Sequence, residues 1–375
     1  MTIVDALSTP HTSVSREVSR SISLRLAERV QASLVRCLTK LGHGQLAEQV
    51  EQAPADPQGA WRPEVGLVAR RTGEECPVVA ALQWLGAFGR PGLHVEVYVR
   101  EPSAILHEGE IYPVSGSVSL RVNESSRSAG SRVLLLGNRG AEKTSANHSA
   151  SPSWSYSPYI AEVESGAPGS YPDPIALAAR RMQHSEAETT EVWRAYEAVA
   201  EDPDYGPWVA SVVRGVLITS GGSAISSTDP EYPGLVALPG TAGALESFER
   251  LVDAASQQKL FQLSLACELV AKREEEIHYV PSRRTYVTTR RLFAAAHQHV
   301  NAIGALASLN AHRLEGQLAK RIATRRLLLD TECYDQLDES TSLTEEGHAV
   351  WRNLKGALER ARQPDLSRCH KRIYG

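Results

Sequence analysis

Residues 235–269 read LVALPGTAGALESFERLVDAASQQKLFQLSLACEL, and the change of character inside this stretch decides the fold class. The first four residues are a short apolar run suited to a buried strand. Pro239-Gly240 ends it, because proline has no N–H for a ladder and glycine favours a turn. From Leu245 the apolar residues recur at helical spacing to about Ala271, so a long helix follows the strand. Glu249, Asp253, Gln257 and Leu260 lie three or four residues apart and share one stripe of that helix. The plain reading of the stripe is the solvated side of an amphipathic helix; the functional reading is a pocket wall.

Working outward, residues 221–233 are turn-forming, 208–218 suggest helix passing into strand, and 175–182 and 189–199 show helical periodicity. Residues 138–174 are rich in Ser, Gly, Pro, Asn and Tyr with few aliphatics, the composition of a long surface loop or flap. Before it, 94–99, 105–112, 118–122 and 133–136 are short β-rich runs punctuated by Gly, Pro and Ser. They predict a small antiparallel sheet. Apolar residues from Ile22 to Leu41 predict an amphipathic helix over 21–50, broken near Gly42, and 65–68 and 78–85 add helix after a loop at 53–63. Downstream, a helix is expected from about Thr288 into 306–322, and a last one over 344–361. The expected fold is mainly α with a small antiparallel β-sheet (α+β), in three consecutive regions: helical 1–90, β-rich with a long loop 91–174, and a helical core 175–375.

Composition narrows the partners. Forty basic residues against forty-four acidic ones give a net charge of -4, which offers no long-range field for phosphate backbones or anionic lipid. Nucleic acid and membrane are therefore not expected. The pairs Arg283-Arg284, Arg290-Arg291 and Arg325-Arg326 read as solvated helix faces. Five scattered cysteines show no CxxC spacing, no cationic stretch followed by an apolar run opens the chain, and no run is long enough to span a bilayer. A cytoplasmic location is the expectation.

Three segments carry a family resemblance. SAISSTDPEYPGLVAL (223–238) followed by LESFERLVDAASQQKLFQLSLACEL (245–269) is similar to the Ser-rich turn, P-G-L-V strand and catalytic helix of the HExxH-motif peptide-modification proteins. HYVPSRRTYVTTRRLFAAAHQHVNAIGAL (278–306) resembles their Y-x-S-P-x-R-x-T segment and the L-L-A-x-H-A-x-x-N helix after it. LDESTSLTEEGHAVWRNLKGAL (337–358) resembles their closing L-T-x-x-G helix. Members related to iron- and 2-oxoglutarate-dependent hydroxylases are expected to hold Fe(II) through both motif histidines and a third ligand from the later helix. Residues four apart on a helix converge on one ion. Here the alignment places Asp253 at the first histidine, Ala254 at the glutamate and Gln257 at the second histidine, while His297 matches the later-helix histidine. The motif is degenerate. An amide oxygen is a poor donor to Fe(II) or Zn(II), and Ala254 cannot activate water, so metalloprotease chemistry is not expected. No cofactor is expected; the alternative is Fe(II) with 2-oxoglutarate on a replaced ligand set.

The resemblance implies a natural-product biosynthesis protein acting on a peptide or amino-acid-derived substrate through altered, metal-independent chemistry. Asp253 and His297 are the candidate catalytic acid/base pair. Gln257, Arg291 and Arg284 are the candidate substrate-binding residues, since guanidinium forks suit carboxylates. Arg291 best matches a family arginine, whereas Val287 and Thr288 stand where members have R-P. The alternative from another class is a catalytically silent relative that binds a precursor peptide, a pathway enzyme or a carrier. His297 and His299, two apart, point in different directions, and a lone histidine on an Ala-rich helix is often simply packed. Ser223, Ser226 and Ser227 lack a nucleophile elbow and read as turn residues.

Overall fold

Leu235–Pro239 is a strand and Ala244–Ala266 a helix, as the apolar run and the spacing after it predict. They belong to a chain whose computed structural model describes residues 3–10, 14–55, 77–107, 110–124, 132–138, 141–142, 159–164, 186–213, 215–220, 227–228, 234–239, 243–271, 276–309 and 315–362. In chain order the elements are α1 (Ile3–Ser8), α2 (Val14–Lys40), α3 (Gly44–Gln52), α4 (Pro77–Phe88), β1 (His94–His107), β2 (Glu110–Glu124), β3 (Arg132–Asn138), β4 (Ala141–Glu142), β5 (Tyr159–Glu164), α5 (Glu186–Ala200), α6 (Tyr205–Ala210), β6 (Gly215–Ser220), β7 (Ser227–Thr228), β8 (Leu235–Pro239), α7 (Ala244–Ala266), β9 (Ile277–Val280), β10 (Thr285–Thr288), α8 (Thr289–Ser308), α9 (Glu315–Leu328), a π-helical turn (Leu329–Tyr334), α10 (Asp335–Asp338) and α11 (Glu345–Arg362). The fold class is the expected one, mainly α with a small antiparallel sheet (α+β), to which a two-stranded antiparallel hairpin and a mixed four-stranded sheet are added. The chain divides into two units drawn from non-consecutive stretches, where the sequence was read in consecutive regions. One comprises Met1–Val18, Ala195–Val209 and Phe248–Gly375, the other Ser19–Arg194 and Ala210–Ser247.

In the unit of Ser19–Arg194 and Ala210–Ser247, α2 buries Ala27, Val30, Leu34 and Leu38, which its helical turn brings onto one stripe. The helix stops where expected. Gly42 adopts φ +83°, and the His43 N–H donates to the Leu38 carbonyl at 2.9 Å, satisfying an acceptor that the helix end leaves open. PVVAALQWLGAF in α4 has no polar face beyond Gln83 and is buried all round, against β1 and β2. β1 to β4 form an antiparallel meander in which Val118, Leu120 and Val122 alternate toward the buried side.

The structure corrects the sequence reading of this unit in two places. The run 105–112, read as one strand, straddles two: β1 continues to His107 and β2 starts at Glu110. β1 can pass through Pro102 because the register shifts between Val99 and Ser103, where the ladder does without an N–H. Within 138–174, read as loop, Tyr159–Glu164 is a strand pairing in parallel with β6. The second sheet, ordered β5-β6-β8-β7, is thus mixed, with only β7 antiparallel. Parallel neighbours need a crossover, and α5 and α6 lie between β5 and β6 in the chain. The helices expected over 65–68 and 175–182 lie outside the described residues.

In the unit that contains Phe248–Gly375, α8 is the central element and packs against α9, the π-helical turn and α11. It buries Leu292, Phe293, Ala296, Val300, Ile303 and Leu306. The helix predicted to run from Thr288 into 306–322 is two helices, α8 ending at Ser308 and α9 starting at Glu315. α1 packs on α11, where Asn353 Nδ2 donates to Asp5 Oδ1 at 2.9 Å. Trp351 is buried, with its indole N–H donated to Asp338 at 2.6 Å. Among the described residues no helix is long and apolar enough to cross a membrane.

Candidate functional site

Glu249 and Asp253 are one turn apart on α7, and Arg321 and Arg325 one turn apart on α9. That spacing brings two carboxylates onto two guanidiniums. Arg321 Nη1 donates to Glu249 Oε2 at 2.5 Å, Arg325 Nε to Glu249 Oε1 at 2.5 Å, and Arg325 Nη2 to Asp253 Oδ2 at 2.6 Å. Arg325 Nη1 also donates to His299 Nδ1 at 3.1 Å, which makes that imidazole an acceptor and hence neutral. Burial, reinforced by Arg325 and Arg283, pushes His299 down to about 3. Burial raises the Asp253 carboxyl to about 6 even though Arg325 pulls it down. Burial works against the charge of Arg325, yet Asp253 and Glu249 hold its pKa above the ordinary value. The pair is therefore ionised at neutral pH. Asp253 Oδ1 is buried and has no hydrogen-bond partner.

His297 lies in different company. Its ring is fully buried, 6.4 Å from the Trp208 ring, and burial pushes it down to about 4. Backbone groups of Leu7, Ser8 and Ser256 partly offset that shift, although neither ring nitrogen reaches hydrogen-bond geometry. The Lys259 amine, 5.7 Å above Trp208, is lowered by burial to about 7 and adds to the depression of His297. The expected partner of Asp253 was His297; the histidine that meets the guanidinium holding Asp253 is His299. Residues two apart on α8 point to different neighbours, as their spacing requires, and it is the other one that faces α9.

The remaining candidates are dispersed. Gln257 is half-buried one turn beyond Asp253. Arg291 is exposed in the first turn of α8, and Arg284 is exposed beside the Pro281–Arg283 turn, with φ +49°. A non-glycine residue held there carries roughly 1–3 kcal/mol of backbone strain, which marks the position as one to explain. His278 shares a 2.9 Å hydrogen bond with Thr289 and is structural. Ser227 sits in β7, and Ser223 and Ser226 lie outside the described residues.

The residues present do not fit the metal that the resemblance implies. The Asp253 carboxylate and the His299 nitrogen already face one cation, Arg325, and His297 is turned toward Trp208 and the Lys259 amine. Among the described residues no group of three or more His, Cys, Asp or Glu is placed to hold a metal ion. Sequence reasoning missed Arg321 and Arg325, having read the Arg325-Arg326 pair as a solvated face, whereas Arg325 is 17% exposed. One signal was available: two acids one turn apart on a helix that is otherwise core require a cationic partner. Lys259, 1% exposed, also went unread. A scan against protein-family models finds no match to this chain, and a search of the curated proteins finds none.

Proposed function

We propose that this chain is a catalytically silent relative of the HExxH peptide-modification proteins, acting in natural-product biosynthesis by binding a peptide or a peptide-bearing partner. The observation that supports this reading is the commitment of Asp253 and Glu249 to Arg325. A general base must offer a lone pair to the substrate, and a cofactor site must offer free donors. Arg325 answers both acids with a fixed fork, so a guanidinium from α9 meets Asp253, the position aligned with the family's first motif histidine.

Metal-independent acid/base chemistry is the second reading, and one observation favours it: Asp253 Oδ1 is unbonded on a carboxyl raised to about 6. One experiment separates these readings and the Fe(II)/2-oxoglutarate alternative. Purified protein is supplied with Fe(II) and 2-oxoglutarate and assayed for succinate, while Asp253→Asn and His297→Gln are introduced into a producing strain with protein level monitored. The silent reading expects no succinate above background and product output that follows protein level alone. Turnover, or output abolished by Asp253→Asn at normal protein level, overturns it.

A further inference from the structure

We propose that the outer edge of β1 pairs with the same edge of a second copy of this chain, antiparallel and about a two-fold axis through Tyr98, so that two four-stranded sheets join into one. β1 is the end strand of the meander β1-β2-β3-β4. β2 takes its inner edge, in register from His94 opposite Arg121 to Val99 opposite Gly116, and among the described residues no strand takes the outer one. Such an edge presents a row of backbone N–H and C=O groups to any strand that can reach it. Alternation along it is unbroken, with His94, Glu96, Tyr98 and Arg100 exposed and Val95 and Val99 buried. Beyond Arg100 lie Pro102 and the register shift that ends at Ser103, which close the regular stretch.

The occupant follows from the order of the charges. Glu96, Val97, Tyr98, Val99 and Arg100 read the same from either end, except that the two end residues carry opposite charges. Two copies running antiparallel about Tyr98 therefore set each Glu96 opposite the other copy's Arg100, each Val97 opposite Val99, and the two Tyr98 side chains across the axis. Other registers lose this match. A slip of one residue sets exposed residues against buried ones. Centring on Val97 sets Arg100 against His94, and centring on Val99 sets Glu96 against Pro102. Charges on an edge ordinarily turn foreign strands away, so a self-matched order favours the copy over another partner.

The side chains are available for this pairing. Tyr98 is 68% exposed, and the residue opposite it on β2 is Ser117, too small to cover the ring. The Glu96 side chain is 74% exposed and lies 3.6 Å from His94, which is a cation only when protonated. Arg100 is exposed and makes no ion pair among the described residues. Opposite charges and aromatic rings that face each other across a ladder both stabilise it. A ladder this short is a small interface of the transient class, so monomer and dimer exchange.

Sedimentation velocity of the full chain, over a concentration series reaching about 0.1 mM, tests this. The expected result is a monomer–dimer equilibrium that weakens with added salt. Glu96→Arg and Arg100→Glu each set like charges opposite one another twice across the axis, and each is expected to weaken the dimer about tenfold or more. Combining the two substitutions exchanges the charges and is expected to restore it, with all three variants keeping the unfolding midpoint of the wild type because the positions are exposed. A wild type that stays monomeric throughout the series overturns the proposal and leaves this edge to a strand from another protein. A dimer that both single reversals leave intact, or that the combined exchange fails to restore, overturns it as well.

Discussion

Arg325 Nη2 lies 2.6 Å from Asp253 Oδ2, and the same guanidinium reaches Glu249 through Nε. One cation thus answers two acids from consecutive turns of α7 in a setting where Arg325 and both acids are largely shielded from water. Desolvating such a group is costly, and the mutual attraction repays it only while every partner is present.

Arg325→Met removes the cation and leaves Asp253 unpaired and Glu249 with Arg321 alone. The expected loss is about 3–5 kcal/mol of unfolding free energy, read from urea denaturation at neutral pH. Adding Asp253→Leu and Glu249→Leu to Arg325→Met is expected to recover most of it, because the one charge left without its partner, Arg321, is 34% exposed and reaches water. A single-variant loss near zero would reduce the cluster to an ordinary surface pair.

Stability of this unit has a pH dependence with opposing parts. His297 and His299 are held down by burial to about 4 and about 3, so each contributes stability above the ordinary imidazole value of 6.5 that is lost as pH falls through the folded value. Asp253, raised by burial from 3.8 to about 6, acts in reverse: its contribution is full below pH 3.8 and is lost as pH rises through 6. The histidines are displaced further, so their loss dominates between pH 6.5 and 4. Urea midpoints measured across that window are expected to fall with acidification, less so in His297→Gln and more steeply in Asp253→Asn. A midpoint flat in the wild type, or a steeper fall in His297→Gln, contradicts this assignment.

What could be read in the sequence was local. The strand, the Pro-Gly stop and the helix of 235–269 follow from neighbouring residues, as does the end of α2 at Gly42, where a left-handed residue is needed. β5 escaped because YIAEVE sits in a stretch of turn formers and finds its parallel partner, β6, only after a crossover that includes two helices. The polar stripe of α7 was visible, but its meaning depends on Arg325, 72 residues further along the chain. Spacing separates His297 from His299 without saying which faces α9, since that depends on how α8 is rotated in its packing.

Gly304 is a place where helix propensity gives the wrong sign. Alanine normally stabilises a helix interior by about 1 kcal/mol over glycine. A Cβ at 304 would run into the Tyr205 hydroxyl and lie 3.2 Å from the ring carbon that bears it. Tyr205 is itself buried, packed edge-on against Trp208 at 5.9 Å, so it has little room to yield. Gly304→Ala is expected to cost about 1–3 kcal/mol, seen as a lower melting temperature, and Tyr205→Phe in the same chain to recover part of that by removing the obstructing oxygen. No recovery would place the strain elsewhere.

Lys259 is a charged side chain only 1% exposed, and burial lowers it from 10.5 to about 7. Its contribution to stability is therefore present above pH 10.5 and lost as pH falls through 7, so at neutral pH and below the folded state carries the cost of an ammonium in a nearly dry site. Its 5.7 Å approach to Trp208 returns only about 1 kcal/mol of that. Lys259→Met keeps the length and apolar stem while removing the charge, and replacing a buried ion by a well-fitting apolar side chain is expected to raise the unfolding free energy by about 1 kcal/mol or more. The gain should be largest at pH 6 and shrink as pH rises toward 10, which urea midpoints of the two proteins at each pH will show. A variant less stable than wild type at every pH would mean that the hydrogen-bonding role of Lys259 outweighs its desolvation, and the amine would then be a structural keystone of the His297 region.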